Sequence, residues 1–427
     1  MKKSLRNCVI LSLCCWIHFG IPQIAPADEL KLYVQNISAD TIPNVLLVDK
    51  SRQRLFVLNS NAPAHIQIVD TFRITTGKID GNKEKEGDQK TPEGIYRIVS
   101  SIPGEQLPPR YGPVAFVLDY PNLADQIQNR NGSNIWIHGR DEAIVDRQTE
   151  GCISLENCKL LQLADYITLQ QTMVIIIDSL YHNSRAGAIA AKFHAAEPLV
   201  YHWADTWERG KLDRFANLIS EHFKTRSWKS RSAYLNNKKN LETLYAWKDV
   251  AIDKLWLLQS DYEVRASFLQ EYLCPTFYSR GLKTLQLIWA DSVWQIINED
   301  FTPLAPQLYV SDAVDKFLEC WQTDWQSGSV ERYLTYYDST FSSREHPSFD
   351  AWSAHKRRVL RQSDDIKVHI SHVKISSRTP YQWDVTFRQD YYSDHYSDRG
   401  IKTLRIKGHP RNYREFKILS EEWEPLN

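Results

Sequence analysis

The feature that most limits how this chain can fold is an internal repeat. Trp203, Trp207, Gly210, Arg214, Phe215 and Phe223 recur as Trp321, Trp325, Gly328, Arg332, Tyr333 and Phe341, at a constant offset of 118 residues. Further on, Phe268-Leu-Gln-Glu-Tyr272 recurs as Phe387-Arg-Gln-Asp-Tyr391, and Arg280-Gly-Leu-Lys-Thr-Leu285 as Arg399-Gly-Ile-Lys-Thr-Leu404, both at an offset of 119. Two blocks in one order at nearly one offset imply two copies of a single domain. The period is too long for a solenoid unit and right for a small domain. Each copy opens on a helical pattern, Trp-x3-Trp followed by aromatics. Each closes on alternating strands around Arg-Gly-x-Lys-Thr-Leu, read as a turn. That order predicts an α+β domain, helices first and then a curved antiparallel sheet. The copies are set at residues 198–303 and 310–426, with a linker or short helix at 180–197. Twelve of the 14 tryptophans lie between Trp203 and Trp423. Core packing is the first reading of them, and a pocket or sugar-binding face the second.

The region before the repeat reads differently. Residues 44–49, 54–58, 66–74, 95–99, 113–118 and 174–177 carry short apolar or alternating runs between polar turns, the pattern of strands. Residues 81–90 form a charged loop, read as solvated, with a lid as the alternative. Leu160, Leu163, Ala164 and Ile167 have helical spacing. Within this mostly-β region Ile135 and Ile137 alternate into His138-Gly139. Fourteen residues after His138, Gly151-Cys152 stands before the helical pattern. A cysteine and a histidine that meet in space are the minimum set for a thiol nucleophile and its base. The expected setting is a helix start, where the dipole favours the thiolate.

The first residues read as a removable leader. Lys2, Lys3 and Arg6 precede an apolar run from Cys8 to Ile21, and Ala25-Pro26-Ala27 is a small-x-small cleavage site. The run is short for a membrane span. Cleavage after Ala27 is favoured over a lipid anchor on Cys14 or Cys15. The chain has 52 basic and 52 acidic residues. Removing the leader takes three positive charges and no negative ones, leaving −3. Nothing in this balance points to nucleic acid. The mature chain, with no later membrane span, is expected to be exported to the periplasm or cell-wall space. Cys152, Cys158, Cys274 and Cys320 remain, too sparse for a disulfide scaffold; whether Cys274 pairs with Cys320 is left open. His346, His355, His369 and His372 lack metal-site spacing, so neither metal nor cofactor is expected.

The His-Gly element, the Thr91-Pro92-x-Gly94 turn, and Thr149-x-Gly-Cys152-Ile-x-Leu-x-Asn157 together resemble the L,D-transpeptidase catalytic domain (YkuD or ErfK type) over roughly residues 44–179. The resemblance implies a β-sandwich in which Cys152 is the nucleophile and His138 the general base and proton donor. Peptidoglycan stem peptides would be the substrate, and the backbone N–H groups of Gly151 and Cys152 would hold the oxyanion. Gly139, Trp136, Tyr120, Arg140, Thr149 and Ser154 are the candidate substrate-binding residues. Two positions depart from the family pattern. Glu150 stands where many members carry a second histidine, and Ser154 where many carry an arginine. Arg140 or Arg147 are the candidate substitutes. The departures, with residues 119–122 and Trp136, resemble the branch of cell-shape L,D-carboxypeptidases and related amidases. Several cell-shape members carry a C-terminal nuclear transport factor 2-like (SnoaL-like) domain, and residues 198–427 look like two of them.

The preferred reading is cysteine-dependent transpeptidation with release of D-alanine, contributing to wall crosslinking and cell shape. The runner-up resolves the same acyl-enzyme with water, as a carboxypeptidase or amidase. A wall-binding scaffold with a vestigial site is the alternative of another class. Under any of them the repeated domains could take glycan or protein partners.

Overall fold

The computed structural model describes residues 30–180, 186–305, 307–362 and 365–426. The expected leader and its cleavage site lie outside the described residues, as do residues 181–185 of the linker.

The first domain contains β1 (Val34–Asn36), β2 (Ile42–Asp49), β3 (Arg54–Ala62), β4 (His65–Arg73), β5 (Gly94–Pro103), β6 (Val114–Leu118), α1 (Leu123–Ile127), β7 (Trp136–Arg140), β8 (Ile153–Glu156), α2 (Asn157–Ala164) and β9 (Met173–Ile177). Eight strands run in the order β4-β3-β2-β9-β5-β6-β7-β8. The sheet turns over at β5. Residues Gly94 to Arg97 pair with β9, whereas Ile98 to Pro103 pair with β6. The two halves face each other as a β-sandwich. Leu46, Val48, Leu55 and Val57 pack there against Phe116, Ile137, Ile153 and Leu155. In β2 the intervening Val45 and Leu47 are buried as well, in a second cluster with Tyr33, Trp256 and Leu258. A strand covered on both faces reads as a continuous apolar run.

The first repeat follows: α3 (Ala186–Glu208), α4 (Leu212–Asn217) and α5 (Arg231–Leu244), then β10 (Asp249–Gln259), β11 (Glu263–Cys274), β12 (Phe277–Ala290) and β13 (Val293–Pro303). The second has α6 (Gln307–Gln326), α7 (Val330–Leu334) and α8 (Phe349–Leu360), then β14 (Lys367–Thr379), β15 (Gln382–Tyr392), β16 (Ser397–Lys407) and β17 (Lys417–Pro425). Each meander curls around its helices. Trp203, Trp207 and Phe268 in one core match Trp321, Trp325 and Phe387 in the other. Cys274 and Cys320 are free thiols.

One reading is corrected. Arg-Gly-x-Lys-Thr-Leu is not a turn: both copies lie inside long strands, β12 and β16. Its glycine admits a neighbouring strand and ring. A Cβ on Gly281 would stand 2.4 Å from the Thr302 carbonyl oxygen and 2.7 Å from the Phe301 ring, and one on Gly400 2.4 Å from that of Glu424 and 2.6 Å from the Trp423 ring. The lysine of the motif faces a glutamate across the sheet, Lys283 to Glu299 at 3.4 Å and Lys402 to Glu421 at 3.6 Å.

The domains are joined beyond simple succession. Strand β1 leaves the sandwich and extends the first repeat's sheet, pairing with β10 in the register Val34↔Leu258, Gln35↔Leu257 and Asn36↔Trp256. That sheet is therefore five-stranded, β1-β10-β11-β12-β13.

Candidate active site

His138 lies in β7, and Cys152 stands just before β8, its parallel neighbour. In β7 and β8, Ile137 pairs with Ile153 and His138 with Ser154. Cys152 directly precedes β8, so it lies diagonally across from His138, and side chains two residues apart share a face. The expected helix start is corrected: α2 begins only at Asn157, five residues later. Residues 153–156 form a strand because Ile153 and Leu155 enter the sandwich core.

Without a helix terminus, burial governs the thiol, and it pushes Cys152 up to about 11 against donation from the Trp136 backbone and the positive charge of Lys83. Burial also lowers His138 below its ordinary value, opposed by its hydrogen bond to Gly139 and assisted by Arg140 and Arg110. Both shifts favour the uncharged forms, a thiol and a neutral imidazole. Nδ1 of His138 lies 2.7 Å from the Gly139 carbonyl oxygen. A carbonyl only accepts, so Nδ1 carries the hydrogen and Nε2 presents a free lone pair. The thiol donates to the Asn134 carbonyl, 3.4 Å from Sγ.

The loop before Cys152 is held through its backbone. Thr149 Oγ1 donates to the Cys152 carbonyl at 2.6 Å and accepts from the Gly151 N–H at 3.2 Å. Thr91 Oγ1 donates to the Gly151 carbonyl at 2.9 Å. The Cys152 N–H has no hydrogen-bond partner among the described residues. Gly151 has φ +131°, and a Cβ there would stand 2.9 Å from the Lys90 carbonyl oxygen. Glycine is thus required by conformation and by space.

The other sequence candidates divide. Trp136 and Ser154 flank the pair; Ser154 is 1% exposed, with Oγ 3.5 Å from His138 Nδ1. Arg140 is ion-paired with Glu142 at the strand's end, its buried Nε without a hydrogen-bond partner among the described residues. Arg147 pairs with Asp80 at 2.6 Å, and exposed Glu150 with Lys78 at 3.8 Å. Tyr120 is taken up in the core, edge-on to Tyr96, its hydroxyl donating to the Asn131 carbonyl at 3.0 Å.

Two neighbours escaped sequence reading. Tyr111 stands edge-on to the His138 ring, centroids 4.9 Å apart, and to Trp136 at 5.4 Å. Lys83 is buried in the loop read as solvated, paired with Asp88 at 2.7 Å. A single tyrosine in a Pro-rich turn and one lysine among many charges carry no periodic signal that could have found them.

A β-sandwich presenting a Gly-Cys loop beside a histidine strand, followed by two α+β cones, defines a multidomain protein of the L,D-transpeptidase class. Residues 43–176 match the L,D-transpeptidase catalytic domain (YkuD), and residues 196–300 and 313–422 each match the C-terminal NTF2-like domain of Cds6. The chain belongs to the family of the Cds6 C-terminal NTF2-like domain, whose two matches together span half of it, and its first domain matches a catalytic domain of a peptidoglycan-acting enzyme family. Among solved structures it is similar to Bd1075 of Bdellovibrio bacteriovorus, 28% identical over 64% of this chain and 98% of that one, TM-score 0.55. The helical cell shape determining protein Pgp2 from Campylobacter jejuni is 25% identical over 64% of this chain and 97% of that one, TM-score 0.48. No curated protein sequence matches the chain. Among the described residues no helix is long and apolar enough to cross a membrane.

Proposed function

We propose that the protein is a cysteine acyltransferase of the cell-wall space, exported after loss of its leader and acting on peptidoglycan tetrapeptide stems. Cys152 Sγ attacks the carbonyl of the third stem residue, a meso-diaminopimelate, as its proton passes to His138 Nε2. The thiol must turn from the Asn134 carbonyl toward the imidazole for this step. The Cys152 N–H, supported by that of Gly151 once it leaves Thr149 Oγ1, stabilises the oxyanion. Collapse expels D-alanine, which takes the proton from His138, and leaves a thioester. An amine of a second stem then attacks the thioester, forming the crosslink and returning the thiol.

The observation that carries this reading is the imidazole tautomer. The Gly139 carbonyl engages Nδ1 at 2.7 Å and leaves Nε2 as the base. A second reading, with water as the acceptor, draws on buried Ser154 at the position where many family members carry an arginine. Incubating mature protein with tetrapeptide muropeptides and weighing the products separates them. Crosslinked dimers support transpeptidation, and tripeptides alone support the carboxypeptidase. Neither product, with no acyl adduct on Cys152, would rule out both.

A further inference from the structure

One side chain of the first repeat reaches the loops around Cys152. Tyr262, in the turn between β10 and β11, donates its hydroxyl to the Glu93 carbonyl at 2.5 Å. The same hydroxyl accepts from Arg130 Nη1 at 2.6 Å, and the guanidinium lies 4.8 Å from the centre of the Tyr262 ring. Both partners belong to the catalytic domain, and both lead to the neighbourhood of Cys152.

On one side, the Glu93 carboxylate pairs with Lys50 at 2.6 Å, and Lys50 also donates to the Gly81 and Thr91 carbonyls. Thr91 is two residues from Glu93, and its hydroxyl holds the Gly151 carbonyl beside the nucleophile at 2.9 Å. On the other side, Arg130 is followed by Asn131. That residue exchanges two hydrogen bonds with the loop of Lys83, from its N–H to the Glu84 carbonyl and from the Glu86 N–H to its side chain, both at 3.0 Å.

The surrounding interface fixes Tyr262 in place. Arg265 donates to the Ile95 carbonyl at 3.0 Å and is ion-paired with buried Glu263 at 2.8 Å. Asn122 Nδ2 and the Ile95 N–H both approach Glu263 Oε2 at 3.4 Å. Ala124, Ile288 and Ile297 close the contact with Leu123, Ile127 and the Tyr262 ring. Glu263, Arg265, Asn122 and the Ile95 backbone satisfy one another, the condition under which such a network rigidifies its neighbours.

We infer that the first NTF2-like domain is a working part of the catalytic unit, and that Tyr262 is a positioning residue. Its hydroxyl, clamped between Arg130 and the Glu93 carbonyl, sets the Thr91–Gly151 contact and the Lys83 loop around Cys152. The inference rests on Cys152 being the reacting thiol, as proposed above.

The test compares full-length wild type with Tyr262→Phe, which keeps the ring and removes the hydroxyl. Arg130→Lys keeps the charge beside Asp125 and loses the fork, and serves if the first variant fails to fold. Expected are a thermal midpoint and far-UV spectrum close to wild type, KM for the tetrapeptide within about twofold, and kcat lowered about tenfold by misplacement of the reacting groups. The rate of Cys152 alkylation by iodoacetamide should change at least about threefold, with a shifted pH profile, as the thiol's surroundings loosen. A Tyr262→Phe/Thr91→Val double variant should lose less than the two single losses combined, since both break one chain of contacts. Unchanged kcat and an unchanged alkylation profile in a folded variant would overturn the inference, as would strict additivity. If wild type releases no D-alanine, the functional proposal fails by itself, and the alkylation comparison still decides the role of Tyr262.

Discussion

His138 and Ser154 stand directly opposite each other on adjacent parallel strands, with Ser154 Oγ 3.5 Å from the imidazole Nδ1. Ser154 is 1% exposed, so the position where many family members carry an arginine here has room only for a small side chain. Ser154→Arg should destabilise the protein by at least about 3 kcal/mol, through overpacking and an unpaired buried charge. Ser154→Ala should cost only about 1 kcal/mol. Urea unfolding midpoints check both; a stable, active Ser154→Arg protein would contradict the packing described.

Cys152→Ala and His138→Ala should each reduce turnover by at least about a thousandfold, because the proposed nucleophile and base act as a unit. Mass spectrometry of protein quenched with tetrapeptide substrate should show an acyl adduct on Cys152 in wild type and none in Cys152→Ala. Iodoacetamide should react ever faster as pH rises toward about 11, the value to which burial pushes this thiol. A plateau below pH 7 would instead reveal a preformed thiolate–imidazolium pair.

Tyr111 shields the His138 ring at 4.9 Å, and burial is the main cause of that histidine's lowered pKa. Tyr111→Ala should admit water and raise the pKa toward its ordinary value. The acid limb of kcat/KM, which in the proposed mechanism requires neutral His138, should then move to higher pH, with little change above about pH 7 and the loss growing below about pH 6.5. The pH–rate profiles of the two proteins test this directly; coincident acid limbs would remove Tyr111 from the account.

Asp125 lies fully buried at the contact with the first repeat, where desolvation, helped by the charge of Glu263, raises it from 3.8 to about 6. Folding therefore favours its protonated form. That contribution is complete below about pH 4 and is lost as pH rises through about 6, a difference of about 3 kcal/mol. In Asp125→Asn this dependence should vanish, so wild type should gain on the variant between pH 7 and pH 4. Parallel stability curves over that range would count against it.

Gly151→Ala should be both less stable and nearly inactive. The φ of +131° costs an L-residue about 1–3 kcal/mol, and the new Cβ would meet the Lys90 carbonyl oxygen at 2.9 Å. Thermal melting together with D-alanine release checks it; wild-type release would show that the loop has another accessible arrangement.

The sequence by itself determined the repeat, because equivalent side chains must fill equivalent cores: Trp203 and Trp321 occupy the same place in two cones. It also determined the sandwich strands and the His-Gly and Gly-Cys elements themselves, since alternation and glycine placement are local properties of the chain. What surrounds the cysteine was decided only in three dimensions. Four residues, 153–156, become a strand because the opposite sheet buries Ile153 and Leu155, and this takes Cys152 away from the helix dipole. Residues 34–36 leave the sandwich to finish another domain's sheet, a pairing that no local pattern encodes. Tyr111 and Tyr262 make their contacts with residues distant in sequence, His138 and Glu93, and only packing brings them together.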